Sequence, residues 1–406
     1  MTPLKPASPS PRPLEGLRVL ELGQLLAGPF AGCLLGYFGA DVIKVESLSG
    51  DPLRGWRELE DGTSLWWRSL SRNKRCIALD LHREEAREIV RELLLTSDIL
   101  LENFRPGTME AWGLGPEVVT ELAPRVVYAR VSGFGQTGPD RERPGFASVC
   151  EAVAGLRYIT GHPGELPVRP NLSLGDSLGG LHAMLGVLLA LRARDLTGRG
   201  QVVDIALTES IFNVLESTLI EADRGVTRQP SGVTITGVVP SSAYRCSAEG
   251  GHREPIVIGA NTDKLFAVLM ALIERPDLAA DPSLASNPGR VLRASEIDQA
   301  IEAWTSVRTA AEAVSALAAA GIPAGRIQDA AQVLQDPQVR ARGTMEAVAY
   351  PKGELRLPKL APLLSETPGR SDFAGPELGA HTREVLLELG LGETQLAELF
   401  ASQVIR

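Results

Sequence analysis

From residue 17 the chain alternates short apolar runs with stretches whose apolar residues recur at helical spacing. LRVLEL (17–22) reads as a strand, Ala31–Tyr37 as a short helix begun near Pro29 and stopped by Gly39, and DVIKVE (41–46) as the next strand. The theme repeats: CIALDL (76–81) is a strand, EEAREIVRELLLTS (84–97) an amphipathic helix and DILLENF (98–104) a strand. PEVVTELAP is a short helix before the strand RVVYARVSGFG (125–135). This alternation predicts a mostly parallel sheet with helices on both faces and right-handed crossovers. Two long helical stretches follow, about 177–194 and 205–223, joined by the turn TGRGQ and the strand-like VVDIA.

The pattern changes near Asp223. DRGVTRQPSGVTITGVVPSSAY is rich in Gly, Pro, Ser and Thr and reads as a linker or active-site loop. A smaller α/β segment comes next, with the strand PIVIGA (255–260), helices near 262–274 and 295–304, and AAEAVSALAAAGIPAGRI. A second loop around 328–345 leads back, and two amphipathic helices follow residue 376. The expected organisation is a disordered tail over 1–14, a large domain over 15–223, a linker and small domain over 224–328, and a return linker with a C-terminal part packing on the large domain over 329–406. The fold class is α/β: a large, Rossmann-like, mostly parallel-sheet domain plus a smaller α/β domain.

Composition adds exclusions. The 406 residues are 44% apolar and carry a net charge of −9 without long charge runs, which argues against non-specific nucleic-acid binding. No run reads as a membrane span. The proline-rich N-terminus lacks the apolar stretch of a signal peptide. Cys33, Cys76, Cys150 and Cys246 are far apart and form no C-x-x-C pair, so they read as reduced thiols in a cytoplasmic protein. No G-x-S-x-G elbow, P-loop or H-E-x-x-H motif is present, and nothing suggests a metal. The turn after the first strand is G-Q-L-L-A-G, not G-x-G-x-x-G, which discounts NAD and FAD.

The chemistry-bearing stretch is NLSLGDSLGGLHAMLG (171–186). Asp176 stands behind Gly175 and ahead of Gly179 and Gly180, where a long apolar helix starts. Two readings fit. A carboxylate there caps the helix. It also suits a nucleophile, kept ionised by the helix N-terminus and left uncrowded by small neighbours.

The landmarks LEGLRVLELGQLLAGPFAG, LGYFGADVIKVE, GDPLRGW, SRNKRCIALDL, LLENFRPGTMEAWGLG, YARVSGFGQTGP, LSLGDSLGGLHAMLG, TGRGQVVDIALTES, AAGIPAGRI and LGAHTREVLLELG, in this order from about residue 14, resemble the class III CoA-transferases, the CaiB/BaiF family. The resemblance implies that Asp176 is the catalytic aspartate, attacking an acyl-CoA thioester to give an aspartyl anhydride and then an aspartyl-CoA thioester. Gly175, Gly179 and Gly180 would supply space and backbone N–H groups for the oxyanions. Carried over by position, CoA would be held by Ala27, Leu79, Asp80, Leu81, His82, Asn103, Phe104, Arg105 and the segment at Phe146, with Arg75 of the basic cluster 72–75 beside it. His82 stands where a Lys or Arg is common, and the basic cluster also reads as a solvated loop. Trp56, Trp66 and Trp67 read as packing groups. The resemblance further implies an interlocked homodimer, no prosthetic group, and a CoA thioester and a carboxylic acid as substrates.

Departures narrow the substrate. Leu26 stands where the family's formyl-CoA transferases have a glutamine, Ser47 where an arginine is frequent, and SGVTITGVV (231–239) where they carry a glycine-run loop. The pattern looks more like members that use succinyl-CoA and a dicarboxylate such as malate or citramalate. Ser231, Thr234 and Thr236 are candidates for the distal carboxylate, or belong to an ordinary Ser/Thr loop. Two alternatives stay in view. One is the racemase branch, which needs a second acid/base where this chain has Phe146, leaving only His162 and His182. The other is a catalytically silent CoA-binding homologue, which would be expected to have lost Asp176.

Overall fold

The computed structural model describes residues 11–249, 252–350 and 352–406. Contacts divide the chain into two units, residues 1–156, 170–219 and 343–406, and residues 157–169 and 220–342.

In the larger unit the strands are β1 (Arg18–Glu21), β2 (Asp41–Glu46), β3 (Lys74–Ala78), β4 (Ile99–Glu102), β5 (Val127–Ser132) and β6 (Val202–Ala206). All neighbouring pairs are parallel, in the order β3-β2-β1-β4-β5-β6. The direction of winding reverses between β1 and β4, the place where doubly wound sheets open a crevice at their strand carboxyl ends. One face buries Leu20, Ile43, Ile77 and Leu100 against Ile89, Val90 and Leu93 of α2 (Glu84–Leu95). The other face carries α1 (Ala27–Tyr37) and α4 (Leu174–Thr197), which pack on each other. A short helix, α3 (Ala147–Val153), precedes α4, and α5 (Leu207–Phe212) follows β6.

The single helix expected over 205–223 is interrupted. α5 stops at Phe212, Glu216 takes a left-handed φ of 52°, and α6 (Thr218–Asp223) starts afresh. α4 is 24 residues long and, contrary to the expectation from sequence, long and apolar enough by composition to cross a membrane. Its Gly175, Gly179, Gly180, Ala183, Val187 and Ala190 are buried, and the helix packs on α1, α5, β5 and β6.

The smaller unit holds an antiparallel sheet of β7 (Ser241–Tyr244), β8 (Ile256–Gly259) and β9 (Ala324–Arg326), with β8 central. Its core joins Tyr244, Ile256 and Ile258 to Phe266 and Leu269 of α7 (Asp263–Leu272), Ile297 and Ile301 of α8 (Ala294–Thr305) and Leu317 of α9 (Ala310–Ala319).

The chain re-enters the larger unit at Gly343 and ends in α10 (Thr382–Glu388) and α11 (Glu393–Ala401), whose Val385, Leu386 and Leu396 join the core under the sheet. Of the expected N-terminal tail, residues 1–10 lie outside the described residues. Ahead of residue 15, Arg12 pairs with Asp372 at 2.8 Å and Leu14 is buried, its N–H donating to the Phe38 carbonyl at 3.0 Å.

Candidate active site

Four of the strands end at one cleft of about 200 Å³. Its lining includes Gln24 after β1, Ser47 after β2, Leu79, Asp80, Leu81 and His82 after β3, and Phe104 after β4. Whole small-molecule sites run to about 300–1,000 Å³. The cleft is smaller than that range. Phe104 meets Trp112 edge-on at 5.1 Å, and His82 meets the same indole at 6.2 Å.

The floor is a buried charge network that sequence reasoning missed. Lys44 lies 3.1 Å from both Glu21 and Asp51, and donates to the Gly23 carbonyl at 2.6 Å. Burial opposes the Lys44 charge, and Asp51 and Glu21 more than offset it. Asp51 in turn accepts the Leu25 and Leu53 N–H groups, and Glu46 holds Arg54 in a two-pronged pair at 2.7 Å. Lys74, 2.9 Å from Glu21, supplies the third cation against the three carboxylates, and the network fixes the loop after β1. The signal in the sequence was a lysine inside an otherwise apolar strand, V-I-K-V, which only a buried partner makes tolerable.

Asp176 is the third residue of α4, inside the first turn, with Ser173 at the N-cap. It is thus not the capping residue. A helix N-terminus is a favourable setting for a negative charge. It is half-buried. Behind it, the buried Glu151 of α3 accepts the Gly175 N–H at 3.1 Å, a contact that pins the start of the helix. Burial, and then the Asp176 charge, push the neighbouring Cys150 thiol up to about 11, so it stays protonated near neutrality and offers no competing thiolate.

The glycines do other work than expected. A Cβ on Gly179 would stand 2.3 Å from Leu207 Cδ2, one on Gly180 2.8 Å from the Ala27 carbonyl oxygen, and one on Gly175 3.1 Å from Ala147 Cβ. They admit close neighbours and leave no open space. At their depth in the helix, Gly179 and Gly180 have their N–H groups committed to the helical ladder, so they are not oxyanion donors.

Of the expected CoA contacts, Leu79, Asp80, Leu81, His82 and Phe104 come together in the cleft. Ala27 does not line it; it is buried at the start of α1, against Gly180 of α4. Asn103 grips the loop after β1, its amide accepting from Gln24 N–H at 2.7 Å and donating to Gln24 O at 2.8 Å. Arg105 is exposed just beyond Phe104, and no carboxylate pairs with it among the described residues. Phe146 is 73% exposed at the N-cap of α3.

The basic cluster is a correction. Arg75 is taken by Asp41 at 2.7 Å, Glu388 at 2.8 Å and Glu384 at 3.2 Å, and does not line the cleft. Lys74 is buried on Glu21, and Arg72 on the carbonyls of Ser69 and Pro358. The cluster is neither a solvated loop nor a phosphate site.

In the smaller unit, SGVTITGVV borders a pocket of about 240 Å³ that Asp298 also lines. Ser231 Oγ donates to the Thr234 carbonyl at 2.7 Å, and Thr234 Oγ1 to the Ser231 carbonyl at 2.9 Å. Those protons are spent within the loop, leaving Thr236 of the three candidates.

The larger unit is thus a doubly wound sheet with a cleft at its switch point, and its helix α4 carries an aspartate in the first turn. The chain belongs to the CoA-transferase family III, which it matches over residues 14–382. It is 46% identical over 400 residues to succinyl-CoA–D-citramalate CoA-transferase of Chloroflexus aurantiacus, covering 97% of this chain and 98% of that one. To the beta subunit of succinyl-CoA–L-malate CoA-transferase of the same organism it is 41% identical, with 97% and 98% covered. A CAIB/BAIF family protein of Brucella suis, known from its crystal structure, superposes with a TM-score of 0.81 at 32% identity, covering 93% of this chain and 99% of that one.

Proposed function

We propose that this protein moves CoA from succinyl-CoA to a dicarboxylic acid of the malate or citramalate kind, with Asp176 as nucleophile. The observation that carries the reading is the carboxylate at the third position of α4, half-buried, in the first turn of the helix and beside a thiol that stays protonated. A carboxylate oxygen attacks the thioester carbonyl, the C–S bond breaks, and CoA leaves as thiolate, giving a mixed anhydride. The thiolate attacks the aspartyl carbonyl and the donor acid leaves as carboxylate. The acceptor carboxylate then attacks the aspartyl thioester, and the two steps run in reverse. No net proton is consumed, so the site needs no general acid.

The cleft supports binding of the nucleotide end of CoA, with Phe104, Leu79 and Leu81 against the base, and Arg105, exposed and next in sequence to Phe104, is the group to meet a phosphate. The relatives' substrates support succinyl-CoA and a dicarboxylate. Racemisation lacks support: Phe146, standing where that branch needs its second acid/base, carries no transferable proton.

A homodimer accounts for Leu181, Leu185 and Leu189, which line one side of α4 at 49%, 53% and 63% exposure. Four buried free thiols support a reducing, cytoplasmic setting. The test offers a panel of acyl-CoA donors and acids to the protein and to Asp176→Ala, read by mass spectrometry. Transfer that needs a second acid and vanishes in the variant supports the reading. Exchange of an α-hydrogen with solvent deuterium in the absence of a second acid contradicts it.

A further inference from the structure

β3 is an edge strand, and an edge strand leaves a row of backbone groups unpaired. Here residues more than 300 positions away close that row. The Cys76 N–H donates to His381 Nδ1 at 3.1 Å, and the Cys76 carbonyl accepts the His381 N–H at 3.0 Å. Next, the Ala78 N–H donates to Thr382 Oγ1 at 3.1 Å, and the Thr382 hydroxyl donates to the Arg406 carbonyl at 2.5 Å. The Ala78 carbonyl accepts the Arg406 N–H at 3.1 Å, and the Asp80 N–H reaches the Val404 carbonyl at 2.9 Å. Leu79 and Ile405 form an antiparallel bridge. Thr382, Val404 and Ile405 are buried.

These contacts converge on residues 78–80, and β3 runs straight from there into Leu79–His82, one wall of the cleft. On its other side that wall is tied by the Leu79 N–H on the Glu46 carbonyl at 2.9 Å, and at its far end the Arg87 guanidinium donates to the Leu81 and His82 carbonyls at 3.1 Å. We propose that Thr382 and Val404–Arg406 are positioning residues for the CoA thioester, acting through the Leu79–His82 wall and touching no substrate themselves. The inference rests on the cleft being the CoA site.

Thr382→Val keeps the shape of the side chain but removes the acceptor of the Ala78 N–H and the donor to Arg406. A buried backbone donor left without its partner is costly, and the segment relieves it by shifting. The expected result is a rise of about tenfold in KM for the acyl-CoA. KM for the acceptor acid and kcat at saturation stay within about twofold. Thr382→Ser, which restores the hydroxyl, returns KM to its parent value. A Thr382→Val protein that melts earlier but keeps its KM, or loses kcat and both KM values together, overturns the inference. Hydrogen exchange on the unaltered protein with and without free CoA separates the two claims. Protection of the amides of residues 79–82 together with an unchanged KM in Thr382→Val removes the positioning role alone. Absence of that protection removes the cleft reading and this inference with it.

Discussion

Replacing Gly180 by alanine sets two effects of known size against each other. Alanine inside a helix is favoured over glycine by about 1 kcal/mol. The added Cβ, however, meets the Ala27 carbonyl oxygen at 2.8 Å and Phe30 Cδ1 at 2.9 Å. Overpacking costs about 1–3 kcal/mol, and the upper part applies when the atom met is backbone, because α1 as a whole must move. The net is a loss of about 1–2 kcal/mol. Gly179→Ala is the control. Its Cβ meets only the tip of Leu207, at 2.3 Å from Cδ2. Turning that side chain costs about 0.5–1.5 kcal/mol and roughly cancels the helix gain. Urea unfolding followed by tryptophan fluorescence measures both, since Trp56, Trp66, Trp67 and Trp112 all lie in the larger unit. A Gly180→Ala protein as stable as Gly179→Ala refutes the claim that α1 and α4 touch backbone to backbone beside Asp176.

Arg105→Gln should raise KM for the acyl-CoA about tenfold with stability within about 0.5 kcal/mol, whereas Arg75→Gln should cost about 1 kcal/mol and leave that KM alone. Steady-state kinetics and urea titration on the two variants check this. His381 supplies a pH dependence. Burial, opposed by Glu384 and aided by Arg75, lowers its folded pKa below 6.5, and its Nδ1 must stay unprotonated to accept the Cys76 N–H. Its contribution is therefore complete above the unfolded pKa and is lost as pH falls through the lowered folded value. Stability measured from about pH 7 down to about pH 5 should decline, and His381→Asn, which keeps an acceptor, should remove that share of the slope.

The strands were legible because a parallel sheet covered on both faces needs continuous apolar runs, and V-I-K-V, I-L-L and V-Y-A-R-V supply them. β3 was placed two residues late, at 76, because Lys74 and Arg75 look like surface residues until Glu21 and Asp41 are seen beside them. Sequence distance hid the partners of Arg75, since Glu384 and Glu388 reach it from α10. The glycines around Asp176 were read as space for the same reason. Their emptiness is local information, but Leu207, Ala27 and Phe30, which fill it, arrive from other helices. The aspartate itself was visible from its short neighbours and the apolar helix behind it. Its exact place, inside the first turn instead of at the cap, needed the backbone.

The most direct measurement is identification of the acylated residue. The protein is mixed with succinyl-CoA, reduced with borohydride, which converts an aspartyl thioester to homoserine, and digested for peptide mass spectrometry. The account predicts homoserine at position 176 and no modification elsewhere. An unmodified Asp176 in protein that still exchanges CoA between acids, or a label on a different side chain, contradicts it.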